Sequence, residues 1–268
     1  MTANACSRAR LCSAAKRGTL NRATTVRERD GVACLWWFTA ARQIGLVCVA
    51  LLNLVDVRCS QAADPAVAPP NNRIPENLLA VLPRAEDEAG FRPLFGKDAS
   101  ECWTQCGPGG FKLTNGVATS HGGMGLWWHT NRVFTNFVIR GEWRFENRAS
   151  DTGVFVRFAN PGRDPWNAIK SGHELELGDD PEGKDPTWRT GTLYPIQPPT
   201  HVPTKPVGEW NAYEFIAVGQ TYIIRINGET VTVWTDPKQR SAAGYVGLQN
   251  YQDGKGAQHS HLRIKELP

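Results

Sequence analysis

The strongest local constraint in this 268-residue chain is Asn227-Gly228, set between the alternating runs TYIIRI and ETVTVW. A two-residue type I′ turn needs positive φ at both central positions, and Asn-Gly supplies it at the least cost, so the flanking runs must be antiparallel neighbours. Val218-Gly219-Gln220 marks another turn just upstream, which joins Tyr213–Val218, Thr221–Ile226 and Thr230–Trp234 into a meander and argues against βαβ units. Further short runs at Phe137–Phe145, Gly153–Phe158, His173–Leu177, Tyr245–Gln249 and Leu262–Leu267 are separated by Gly, Asn, Asp and Pro, and no long stretch carries helical periodicity. The spacing predicts an all-β, antiparallel sandwich over residues 91–268.

Alternation then assigns faces. In HELEL, His173, Leu175 and Leu177 share one side and Glu174 and Glu176 the other; in GVFVRF, Val154, Val156 and Phe158 oppose Phe155 and Arg157. Burying the Leu/Val faces puts Glu174, Glu176 and Arg157 on one outer sheet surface.

The preceding residues read differently. Ile44–Val55 (IGLVCVALLNLV) is an apolar run after Arg42, followed by Asp56, Arg58 and small residues, which is the layout of a signal peptide; VACLWWF at Val32–Phe38 adds a second block compatible with an N-terminal membrane anchor. Residues 1–63 are therefore expected to be a leader, residues 64–90 a Pro- and Asn-rich linker, and the protein exported to the periplasm, cell envelope or medium. The formal charge of +4 belongs to the leader, since the remaining residues carry 21 basic and 23 acidic side chains. The folded part thus lacks the basic field that nucleic acid demands. Five of seven cysteines precede residue 64, leaving Cys102 and Cys106, for which an oxidising compartment predicts a disulfide. No G-x-G-x-x-G follows a strand, so neither nicotinamide nor flavin is expected.

The run FRPLFGKDAS at Phe91–Ser100 with Trp103, followed in order by TNFVIRGEWRF, SDTGVFVRF, SGHELELGDD, RTGTLYPIQPP, GEWNAYEFIAVGQTYIIRINGETV, AGYVGLQNY and LRIKEL, resembles the 3-keto-disaccharide hydrolase domain family. The resemblance spans residues 91–268 and implies a secreted jelly-roll β-sandwich of the concanavalin A-like type. It departs from the family in three places: Phe95 directly precedes Gly96, Glu176 stands where Gln is usual, and His259-Ser260-His261 replaces Phe-Arg-Asn.

The resemblance also implies a carbohydrate substrate oxidised at C3, made by a separate sugar 3-dehydrogenase. A C3 ketone acidifies the hydrogen at C2, so a base can remove it, the C1 substituent can leave, and water can add. Glu174, at the family's glutamate, is the expected base; Arg157, after the family's S-x-T-G-V, the expected anion stabiliser. Glu176 and Asp179 are candidates for acid or metal ligand. Tyr194 and Gln249 match family positions expected to bind substrate, and Trp188 and Trp128 are candidates for stacking on a sugar ring, with Trp166 also considered. From pattern alone, acidic side chains on an open strand face are ordinarily solvated. No cofactor is expected, although a divalent metal is compatible with His259 and His261 on one strand face or with His121 and His129. The alternative function is a noncatalytic, lectin-like carbohydrate-binding module on the same sheet face.

Overall fold

The computed structural model describes residues 72–84, 86–96, 99–178, 185–251 and 256–268. The leader with its apolar run and the candidate Asp179 lie outside the described residues. In chain order the elements are α1 (Glu76–Leu79), β1 (Arg92–Pro93), α2 (Ala99–Cys102), β2 (Trp103–Cys106), β3 (Gly110–Thr114), β4 (Val117–His121), β5 (Gly125–Phe134), β6 (Phe137–Phe145), β7 (Asp151–Phe158), α3 (Asn167–Ser171), β8 (His173–Gly178), β9 (Leu193–Tyr194), β10 (Asn211–Val218), β11 (Thr221–Ile226), β12 (Glu229–Thr235), β13 (Gly244–Asn250) and β14 (Ala257–Glu266). The meander anticipated from Asn227-Gly228 is β10–β11–β12, with Tyr213 opposite Ile226 and Thr221 opposite Thr235. Asn227 and Gly228 both have positive φ, 50° and 86°.

Antiparallel strands build two sheets. The first runs β12-β11-β10-β6-β14-β4-β3, with β1 beside β14; the second runs β2-β5-β13-β7-β8-β9. Between them lie Trp127, Ile139, Trp143, Val154, Val156, Leu175, Leu177, Phe215, Ile224 and Leu248, so the alternating apolar faces of both sheets meet in one core. This is the concanavalin-like β-sandwich that the sequence predicts.

Three expectations need correction. The supposed linker is part of the domain from residue 72 onward: Leu78, with Ile74, Leu82 and Phe91, packs on Val138, Ile216 and Ile223 across the outer face of the first sheet. Arg140 fastens this segment by donating to the carbonyls of Asp87 and Arg84, both at 2.6 Å. Secondly, Cys106 is a free, buried thiol. Cys102 ends α2 and Trp103–Cys106 is extended, which separates the two α-carbons by roughly 13 Å at strand rise, whereas a disulfide bridges about 4.4–6.8 Å. Thirdly, His259 and His261 do not share a face. A register shift in β14 between Ser260 and Arg263, with His261 at φ 49°, leaves His259 fully buried between Phe111 and Tyr213, and turns His261 outward to Glu142 at 3.0 Å.

Candidate active site

The outer face of the second sheet is divided in two. Its apolar half consists of Cys106, Leu126, Trp128, Phe155 and Phe158, roofed by Ala168 and Ile169 of α3. Its polar half is a small cleft lined by Asp151, Trp166, Ile169, Glu174, Glu176, Trp188, Tyr194, Gln249 and Tyr251. The register explains the grouping. Gln249, Gly153 and Glu176 are cross-strand partners in one row over β13, β7 and β8, and Phe155, Glu174 and Tyr194 form the next over β7, β8 and β9. Partners in a row point to the same side, so both glutamates, Gln249 and Tyr194 rise from one surface.

At the centre of the floor is Gly153. A Cβ there would lie 2.1 Å from Glu174 Oε1; the missing side chain is what lets the Glu174 carboxyl lie over β7 towards Gln249. Glu174 is 1% exposed, and both its Oε1 and Gln249 Oε1 are buried without a hydrogen-bond partner. Unsatisfied buried oxygens cost free energy, and these two differ from most of the other unpaired buried groups of the described residues in lining an open cleft, where a ligand hydroxyl can reach them. Burial drives the Glu174 pKa well above the ordinary carboxylate range, and the neighbouring Asp151 carboxylate pushes it further. The Tyr194 hydroxyl is shifted upward by burial, then by Glu176 and Glu174, and so stays protonated as a donor.

The walls are aromatic. Trp166, Tyr251, Trp188 and Tyr194 follow one another edge-to-face, with centroid separations of 6.5, 6.2 and 5.9 Å. Trp188 is held by a 3₁₀ turn, Pro186–Trp188, which Asp185 caps by accepting from the Thr187 backbone N–H at 2.9 Å. The same loop is fastened to β8 by Glu176 N–H to Thr192 O at 3.0 Å and Gly191 N–H to Glu176 O at 2.9 Å, so Trp188 and Glu176 are held together by backbone.

The structure therefore gathers Glu174, Glu176, Tyr194, Gln249, Trp188 and Trp166, and adds Asp151, Ile169 and Tyr251, which the sequence reading did not single out. Asp151 was within reach of it, since 151, 153 and 155 alternate onto one face. Arg157 and Trp128 are corrections. In β7, Arg157 is an extra residue: Tyr245 pairs with Phe158 and Val246 with Val156, and Arg157 takes φ 53°. The bulge swings its side chain inward, where it is fully buried and donates to Thr135 O, Gly219 O and the Tyr222 hydroxyl at the end of the sandwich. It reaches no part of the cleft. Trp128 shares the sheet face but lies under the apolar roof, 4.7 Å from the Tyr245 ring and 6.1 Å from Phe158. His129 is interior, its pKa lowered to about 4 by burial and then by Arg92, while His121 is exposed at the end of β4. Among the described residues, no three His, Cys, Asp or Glu side chains converge as a metal-holding group.

A family model for the 3-keto-alpha-glucoside-1,2-lyase-like domain matches residues 90–265. The chain belongs to this family. The match covers all strands that bear the cleft, so the carboxyl-lined floor lies wholly within the lyase-like domain. No curated relative matches the chain. Two solved structures from Parabacteroides distasonis ATCC 8503, each described as a candidate glycosyl hydrolase, are similar in fold. One is 20% identical, covering 74% of this chain and 99% of its own, with a TM-score of 0.58; the other is 22% identical, covering 66% and 99%, with a TM-score of 0.54. The lyase-like domain thus shares its fold with both.

Proposed function

We propose that the protein is an exported enzyme that cleaves 3-keto-glycosides, removing the C2 proton so that the C1 substituent leaves by elimination and water then adds. The observation that carries this reading is the buried Glu174 carboxyl, its oxygen unpartnered, which shares the floor of an aromatic-walled cleft with Asp151 and Glu176. Sugar rings present flat C–H faces that suit the walls, and their hydroxyls suit the carboxyl and amide groups of the floor. A carboxyl lifted from its usual range is a stronger base than a solvated one once ionised, which suits abstraction of a weakly acidic C–H.

In the reaction the C2–H bond breaks, its proton passes to Glu174, and the electron pair becomes a C2=C3 enolate. The C1–O bond then breaks as the pair returns, and the departing oxygen takes a proton from Glu176, the acid of the cleft in this reading. Addition of water across C1=C2 yields the free 3-keto sugar. The oxidation at C3 belongs to a separate dehydrogenase, which is why the chain needs no dinucleotide site.

The test is aglycone release from a 3-keto-glucoside and from its unoxidised parent. Wild type is expected to act on the keto compound alone, and Glu174→Gln to lose at least 100-fold in kcat, the lower range of a general base's contribution. Binding of both sugars with release from neither would assign the cleft to a noncatalytic carbohydrate-binding module.

A further inference from the structure

With Arg157 turned into the core, the enolate oxygen needs another donor. We infer that the side-chain amide of Gln249 hydrogen-bonds the enolate oxygen at C3 while Glu174 holds the proton taken from C2. This rests on the keto-glycoside reaction proposed above.

The argument is one of adjacency. C2–H and C3–O sit on neighbouring atoms of the sugar, so base and donor must converge on a single bond of the ligand. Gln249 and Glu174 do this across Gly153. Gln249 is the cross-strand partner of Gly153 on β13, and the Glu174 carboxyl lies over the same residue from β8, occupying the place where a Cβ would be. Position 153, between their two strands, has no side chain to separate them. Gln249 is 5% exposed, lines the cleft, and ends in a buried oxygen without a partner. The two ends of a carboxamide are nearly isosteric, so a half-turn of the terminal torsion presents N–H₂ at that point instead. A neutral amide is suited to the task, because it stabilises charge that appears only in the transition state without binding a resting anion. A guanidinium beside Glu174 would instead hold that carboxyl ionised and lower its basicity.

Atoms and electrons balance as before: the proton leaves C2 for Glu174, the electron pair reaches the C3 oxygen, and Gln249 shares a hydrogen with that oxygen and then recovers it as the C1–O bond breaks. Gln249 therefore touches a reacting atom and is a catalytic residue.

The experiment uses the full chain with a 3-keto-glucoside and compares wild type with Gln249→Leu and, as a second variant of similar bulk, Gln249→Met. Loss of one such donor is expected to lower kcat about 100- to 1,000-fold while KM changes less than about threefold, the signature of an interaction made only in the transition state. Gly153→Ala, which forces the Glu174 carboxyl aside, should lower kcat as well without altering the secondary-structure spectrum. A raised KM with unchanged kcat in both Gln249 variants would make the residue a ground-state contact and overturn the assignment while leaving the lyase reading intact. An inactive wild type would instead overturn the reaction, and this role with it.

Discussion

Replacing Arg157 by Met separates the structural account of this residue from the catalytic one that its place in the family motif suggests. Met keeps much of the stem volume and removes the guanidinium, so the change isolates hydrogen bonding. Of the acceptors that lose this donor, the three nearest are Thr135 O, Gly219 O at 2.5 Å and the Tyr222 hydroxyl at 3.1 Å, while Asn136 Oδ1 and Ser241 O still accept from Gly219 N–H and from the Tyr222 hydroxyl. Two of the three are backbone carbonyls in the tight turns that join β5 to β6 and β10 to β11, where the buried side chain leaves little room for water. At roughly 1–1.5 kcal/mol for each acceptor left unpaired, the loss is about 3–4 kcal/mol. For a domain of this size that lowers Tm by about 10 °C. Urea and thermal unfolding followed by tryptophan fluorescence would read both quantities. A variant within 1 kcal/mol of wild type that has lost turnover would refute the reasoning and return Arg157 to the cleft.

Three further outcomes follow from the same structure. Because burial and Asp151 raise the Glu174 pKa above its unfolded value of 4.5, the stability this carboxyl supplies is complete below that pH and is lost as pH rises through the folded pKa. Glu174→Gln should therefore gain stability over wild type between pH 4 and pH 8 in urea titrations, and a constant difference would contradict the shift. Leu78→Ala should cost about 2–3 kcal/mol, since Leu78 is 8% exposed against Val138, Ile216 and Ile223; an unchanged midpoint would restore the segment to a linker. The Cys106 thiol, its pKa raised by burial and by Asp164, should react with a thiol reagent only after denaturation, and fast labelling of the native protein would show it accessible.

What was legible in the sequence follows the period of the side chains. Where one face of a strand is core and the other open or polar, as in HELEL, alternation fixed both the strand and the common side of Glu174 and Glu176. Where both faces are covered the signal vanishes. Leu126, Trp127, Trp128 and His129 of β5 are all buried, because the core takes alternate residues and the roof formed by α3 covers the others. The Arg157 bulge leaves no local mark, since the residue that makes room for it is Gly244 on β13, whose Cβ would fall 2.3 Å from the Arg157 carbonyl carbon. The segment before residue 91 did carry a signal: Ile74, Leu78 and Leu82 recur every four residues, and Pro and Asn between them masked it.

The central claim is that the Glu174 cleft takes a proton from C2 of a 3-keto sugar. Its most direct test is cleavage of a 3-keto-glucoside in D₂O, with the released keto sugar analysed by mass spectrometry and NMR against an enzyme-free control. Elimination followed by hydration predicts one deuterium at C2 in every product molecule from wild type. Product released at the same rate with hydrogen retained at C2 would mean direct hydrolysis and would contradict the account.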